Sequence, residues 1–261
     1  LPCCSVEAKS PTPAKGQAIE EPLAVSEASG IAALPDGRVL IVDDEYGILL
    51  LEKNGDPSYL FKAKKAKALG ELEGICLSRD KKFVYVLSER KGEIFRFPLR
   101  LSGNEVALGQ MESLGTLPTL SGKKNKGWEG ICISMAKGRD QLVAVHQEKP
   151  RSVGLFDLPS LTPVDIKELS PELKKVLDNL SDVTIDHRTG HLLLLSGKCQ
   201  SIAEIDFSGE KGLTTFHVFN FTQLPLGSDE RPEGICFDAS DRLVIVTDGS
   251  GLPGKMLRFG Q

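Results

Sequence analysis

The chain has 261 residues, 40% of them hydrophobic and 26% charged, and its 32 basic and 36 acidic side chains leave a net charge of -4. That balance excludes the broad basic footprint of a nucleic-acid binder, and no stretch reaches the 18 or so apolar residues of a membrane-spanning helix. Aromatic residues make up only 6%, which argues against an aromatic ligand cage, while 26 glycines and 15 prolines point to many turns.

The chain begins Leu1-Pro2-Cys3-Cys4 without a Met, as a processed chain would, and residues 1–16 have the Ser, Pro, Ala and Lys content of a flexible tether. A cysteine just behind Leu and ahead of such a linker has the pattern of a bacterial lipoprotein start. Cys3 or Cys4 is therefore a candidate for a lipid anchor, although Pro2 and Cys3 are poor residues to precede a lipidated Cys4; an ordinary chain end is the alternative. Residues 17–261 form one domain, because they repeat.

Ser29-Gly30-Ile31, Glu73-Gly74-Ile75, Glu129-Gly130-Ile131, Asp182-Val183-Thr184 and Glu233-Gly234-Ile235 recur in the same context, roughly 50 residues apart, the length of a four-stranded propeller blade with its loops. Each step is followed by a polar turn, such as Pro35-Asp36-Gly37 or Arg79-Asp80-Lys81-Lys82. An apolar run comes next: Val39 to Val42, Phe83 to Leu87, Leu142 to Val145, Leu192 to Leu195 and Leu243 to Val246. Short Leu- and Val-rich runs bounded by turn residues are buried strands. The pattern predicts an all-β, five-bladed β-propeller, with six blades as the alternative. The last repeat stops one strand short at Gln261, and an unpaired edge is a liability. Residues 17–26 are otherwise unassigned, so they are expected to supply the outer strand of the last blade and close the ring.

One short helix is predicted over 171–180. Ser170 stands as N-cap, Pro171 at the first helical position and Glu172 in the first turn, with Leu173, Val176, Leu177 and Leu180 at helical spacing. It either covers the ring near the channel or packs as an ordinary loop element. Cys76, Cys132 and Cys236 fall at one repeat position and so on different inner strands, which predicts small core residues rather than disulfides. Unpaired thiols fit a reducing compartment and pull against the lipoprotein start.

In a propeller the first strand of each blade lines the channel, and the second returns to the face on which the first began. Glu73, Glu129, Asp182 and Glu233 therefore converge on the axis, with Ser29 in the fifth place. Glu45, Glu89, Glu148 and Asp248 return to the same face at second-strand ends. Converging carboxylates raise one another's pKa unless a cation joins them. Oxygen-only ligands in a flexible ring favour Ca²⁺. The alternative is that each acid accepts backbone hydrogen bonds and pins the blades together, and for the outer set solvated loop acids are the better reading. Lys64, Lys65, Lys123 and Lys124 lie in loops on that face, where they either hold a small anionic ligand or simply balance the acids. Trp128 either walls the channel mouth or sits at the core edge, and of the four His only His146 approaches the acidic face. There is no nucleophile elbow, Walker loop or dinucleotide fingerprint.

Glu27-Ala-Ser-Gly-Ile with Ile41-Val-Asp-Asp-Glu45, Leu72-Glu-Gly-Ile75, Leu180-Ser-Asp-Val-Thr184 with Thr189-Gly-His-Leu192, and Pro232-Glu-Gly-Ile-Cys236 together resemble the bacterial SdiA-regulated family over residues 20 to 261. That resemblance implies a propeller, an exported or membrane-anchored location in the bacterial cell envelope, and no established reaction. A weaker similarity is to phytase-like esterase propellers, in which the basic loops would contact phosphate. Three functions stay open. The first is a non-catalytic, monomeric envelope propeller holding a divalent cation and, on the same face, a small anionic ligand or protein partner. The others are a metal-dependent phosphoesterase and a metal-free interaction platform.

Overall fold

Each of the five apolar runs becomes the second strand of a four-stranded antiparallel sheet in the computed structural model, which describes residues 18–25, 27–44, 46–62, 71–120, 127–136, 138–147, 149–206, 218–224, 226–249 and 252–260. The tether expected over 1–16 lies outside the described residues. Strand β1 (Ile19–Leu23) comes first in the chain. Blade one is β2 (Ala28–Ala33), β3 (Val39–Asp43), β4 (Gly47–Leu51) and β5 (Pro57–Lys62). Blade two is β6 (Leu72–Leu77), β7 (Phe83–Ser88), β8 (Glu93–Ser102) and β10 (Glu112–Thr116), with β9 (Glu105–Leu108) pairing as a hairpin on the extended end of β8. Blade three is β11 (Trp128–Ala136), β12 (Arg139–His146), β13 (Ser152–Asp157) and β14 (Thr162–Glu168). Blade four is β15 (Asp182–Ile185), β16 (Leu192–Ser196), β17 (Ser201–Ile205) and β18 (Val218–Gln223). Blade five is β19 (Arg231–Phe237), β20 (Leu243–Asp248) and β21 (Gly254–Phe259), completed by β1.

The first strands touch in the cyclic order β2, β6, β11, β15, β19 and back to β2, which closes a five-bladed ring. The closing strand is the one expected from the chain's N-terminal part: Ile19 pairs with Arg258 and Leu23 with Gly254, antiparallel. Leu23 and Val25 are buried in the core between blades five and one.

The continuous apolar runs follow from this packing, because each blade is covered on both faces and alternate residues of a second strand serve different inter-blade cores. Along β16, Leu192 and Leu194 join the core shared with blade three, while Leu193 and Leu195 join the core shared with blade five. Outer strands have only edge burial, and β5, β10 and β14 are accordingly half-exposed. Cys76, Cys132 and Cys236 are free thiols buried in these inter-blade cores.

Helix α1 (Pro171–Val176) starts as expected, with Ser170 Oγ accepting from Leu173 N at 3.3 Å. It ends at Val176, short of the expected Leu180, because Arg151 closes it: Nη1 donates to Leu177 O at 2.6 Å and to Lys174 O at 3.0 Å. Leu173, Leu177 and Leu180 are buried in the core between blades three and four, so the segment packs as a loop element.

Candidate functional site

Four of the five first strands carry a register irregularity at their start, and each falls at the repeated acidic step. The breaks lie between Ala28 and Gly30, Leu72 and Ile75, Trp128 and Ile131, and Pro232 and Gly234. A bulge bends the strand and re-aims a side chain, and here it turns Glu73, Glu129 and Glu233 off the sheet. The glycine of each step is required by close approach. A Cβ on Gly74 would stand 2.6 Å from Glu129 O, and one on Gly130 only 2.3 Å from Asp182 Cα. The blades are therefore tightest at the acidic end of the channel.

Blade four differs because its step is Asp-Val. The ladder from Asp182 to Ile185 runs without a break, and the shorter carboxylate is used by the backbone. Val183 N donates to Oδ1 at 2.8 Å and Ile235 N to Oδ2 at 2.8 Å, and the Ile131 amide adds a further bond. Asp182 thus ties blades three, four and five together.

The three glutamates show no such backbone support among the described residues. Glu129 is 6% exposed, and its Oε1 has no hydrogen-bond partner among the described residues. Its carboxyl donates to Glu89, an acid expected to be a solvated loop residue but in fact buried at 8% exposure. Ser29 hydrogen-bonds Glu73, and Ser181 hydrogen-bonds Glu233. Burial, and then the field of Glu89, Asp44 and Glu233, pushes Glu73 well above the usual carboxylate range. Burial followed by Glu73 and Glu89 does the same to Glu129. Asp182 is also raised by burial, against the pull of its amide donors. Burial lifts Glu233 to about 7, with Ser181 pulling the other way. Among the described residues no three His, Cys, Asp or Glu side chains already stand at metal-ligand spacing.

Of the outer acids, Asp248 ends β20, its field raising Glu233, while Glu45 and Glu148 lie outside the described residues, as do Lys64, Lys65, Lys123 and Lys124. Trp128 is a core residue, 2% exposed, whose Nε1 donates to Pro118 O at 2.9 Å and whose ring meets Phe156 and His146 edge-on. His146 is buried against it. Ser181 was not singled out from the sequence. It stands one residue before Asp182, accepts from Gly197 N at 3.0 Å, and occupies the place where blade four lacks a second acid.

A cavity of about 870 Å³ opens at the other end of the channel. Its walls are the residues after each acidic step, including Ile31, Ile75, Ile131 and Ile235, and its rim is formed by turns between first and second strands. It lies opposite the acidic face that carries the predicted site residues.

Solved structures of similar fold support the architecture and little more. Glutaminyl cyclase from Myxococcus xanthus superposes with a TM-score of 0.61 at 14% identity, covering 93% of this chain and 96% of that one. A calcium structure of a Trichoderma reesei carbohydrate-active enzyme of family AA12 does so at 0.57 and 10% identity, covering 95% and 97%. A nidogen/laminin complex contributes a chain matching at 0.53 and 13%, covering 84% and 72%. Likeness at such identity shows the fold alone, and these folds serve both catalysis and binding. No curated protein matches the chain. The model of one family, described as SdiA-regulated, matches residues 16–250, nearly the whole ring, and the chain belongs to that family.

Proposed function

We propose that this propeller is a non-catalytic binding protein of the bacterial cell envelope that takes a divalent cation of the calcium class at the acidic end of its channel. The observation carrying this reading is the orphaned Oε1 of Glu129, buried among Glu73, Glu89 and Glu233 with no donor to satisfy it. A hard cation supplies what the backbone supplies to Asp182, and it relieves the mutual repulsion of the glutamates. Glu73, Glu129 and Glu233 would hold the ion. Asp182, whose two oxygens already accept amides, belongs to the wall around it. The cation must draw the carboxylates together, displacing the proton shared by Glu129 and Glu89. A small anionic ligand reaching that ion from the acidic face, beside Glu89 and Asp248, completes the proposal, with the basic loops at Lys64, Lys65, Lys123 and Lys124 as its counter-charges. One fold neighbour is a calcium structure, which supports the class of ion by analogy of fold only.

The proton linkage makes the reading testable. A carboxyl whose folded pKa lies above its unfolded value contributes stability that is complete below the unfolded pKa and is lost as pH rises through the folded one. For Glu233 that window runs from the ordinary carboxylate value of 4.5 to about 7, a loss on the order of 3 kcal/mol. The cation-free protein should therefore melt at lower temperature at pH 8 than at pH 5, and calcium should restore the difference. The double variant Glu73→Gln, Glu129→Gln should be less sensitive to pH and lose the calcium response. Metal analysis and thermal melts with and without calcium check this. Absence of bound metal, or equal calcium stabilisation in the variant, overturns the cation site. Turnover in a screen of phosphate esters overturns the non-catalytic role.

A further inference from the structure

The cavity at the turn end of the channel has the volume of a small-molecule site and an aliphatic wall. Its rim carries an anomaly of the repeat. Gly37, Lys81 and Asp241 occupy the same place in the turns of blades one, two and five. Gly37 N donates to Leu34 O at 3.0 Å, Lys81 N to Ser78 O at 2.9 Å, and Asp241 N to Asp238 O at 3.0 Å. The place demands left-handed backbone, with φ of 92° at Gly37, 58° at Lys81 and 56° at Asp241. Glycine accepts that conformation freely and a side-chain-bearing residue does not. Two blades nevertheless carry opposite charges there. Neither side chain makes a hydrogen bond or ion pair among the described residues, although Asp241 lies within the field of Arg188, which is itself paired with Asp186. Opposite charges set on a left-handed turn position at a cavity rim, with no ion-pair partner among the described residues, point to a ligand.

Both charges act on one group. His187, on the rim of blade four, is held below its usual pKa first by desolvation and then by Lys81, while Asp241 pulls it upward. The other charged rim groups are largely committed: Arg79 pairs with Asp140 at 3.3 Å, and Asp238 pairs with Arg242 at 2.8 Å and Arg258 at 3.3 Å. Asp206 also lies at the rim. Deeper in the wall, Gln141 is 6% exposed and donates to Asp157 at 2.8 Å, while its Oε1 has no hydrogen-bond partner among the described residues. A rim with one cation and one anion left over, above an aliphatic wall, matches neither a simple anion nor a simple cation.

We infer that the turn end of the channel is a second binding site, for a small zwitterion with an apolar body, of the amino-acid or short-peptide class. The carboxylate of the ligand meets Lys81, its ammonium meets Asp241, and its aliphatic part lies against Ile31, Ile75, Ile131 and Ile235. The site is independent of the cation at the acidic end.

Dileucine, N-acetyl-dileucine and dileucine amide, titrated by calorimetry or protein-observed NMR, separate the two charges. The wild type should bind dileucine saturably and each capped form about tenfold or more weakly. Lys81→Gly matches the glycine of blade one and should melt no lower than the wild type, which removes misfolding as an explanation. It should weaken dileucine about tenfold and leave the amide unchanged. Asp241→Gly should weaken dileucine similarly and leave the N-acetyl form unchanged. The Glu73→Gln, Glu129→Gln variant should bind dileucine as the wild type does. No saturable binding of dileucine, equal affinity for all three probes, wild-type affinity in both glycine variants, or loss of binding in the acidic-end variant would each overturn the proposal.

Discussion

Removal of residues 18–25 is expected to unfold the domain rather than trim it. The segment contributes the five-residue ladder of β1 along β21 and buries Leu23 and Val25 completely or nearly so between blades five and one. Burying two such side chains is worth about 3–6 kcal/mol. The deletion also leaves β21 as an open edge beside an uncovered core. Together these terms approach the roughly 5–15 kcal/mol by which a whole domain is stable. Urea denaturation followed by circular dichroism, with gel filtration to detect aggregation through the exposed edge, measures the loss. A variant that still unfolds cooperatively near the wild-type midpoint would show that the ring holds without its closing strand.

Asp182→Ala is expected to cost about 3–9 kcal/mol, because the amides of Val183 and Ile235, and that of Ile131, lose their buried acceptor at roughly 1–3 kcal/mol each. Glu129→Gln in the cation-free protein should cost far less or stabilise, since it removes a carboxyl whose charged form burial and its acidic neighbours disfavour. The contrast separates a carboxylate that builds the ring from one left over for a ligand. Chemical denaturation of the two variants side by side decides it. Equal costs would mean that Asp182 is no more structural than the glutamates.

The same contrast shows how much of the site was legible beforehand. Glu-Gly recurs in three blades and Asp-Val in one, and the missing glycine is a sequence-level sign that blade four cannot bulge there. Seen without the ladder, the four acids are equivalent. Seen with it, the register break at Glu73, Glu129 and Glu233 and its absence at Asp182 assign two different jobs. Glu89 was similarly ambiguous, because nothing local distinguishes a solvated acid at a strand end from one buried against Glu129 of the next blade.

The turn-end cavity had a signal too. Lys81 and Asp241 sit where the repeat places Gly37, but the mismatch gains meaning only once the backbone is known to be left-handed at all three.

Sequence alone determined the propeller repeat and favoured five blades over six, and it determined the strand that closes the ring, the start of the helix and the cysteines as core residues. All of these follow from local periodicity, turn chemistry and repeat length, which neighbouring residues carry between them. Only the tertiary structure decided which acids are supported by amides, which are left without a donor, and where the channel narrows and opens. Those properties belong to contacts between blades, made by residues roughly 50 positions apart, and no local pattern encodes such a distance.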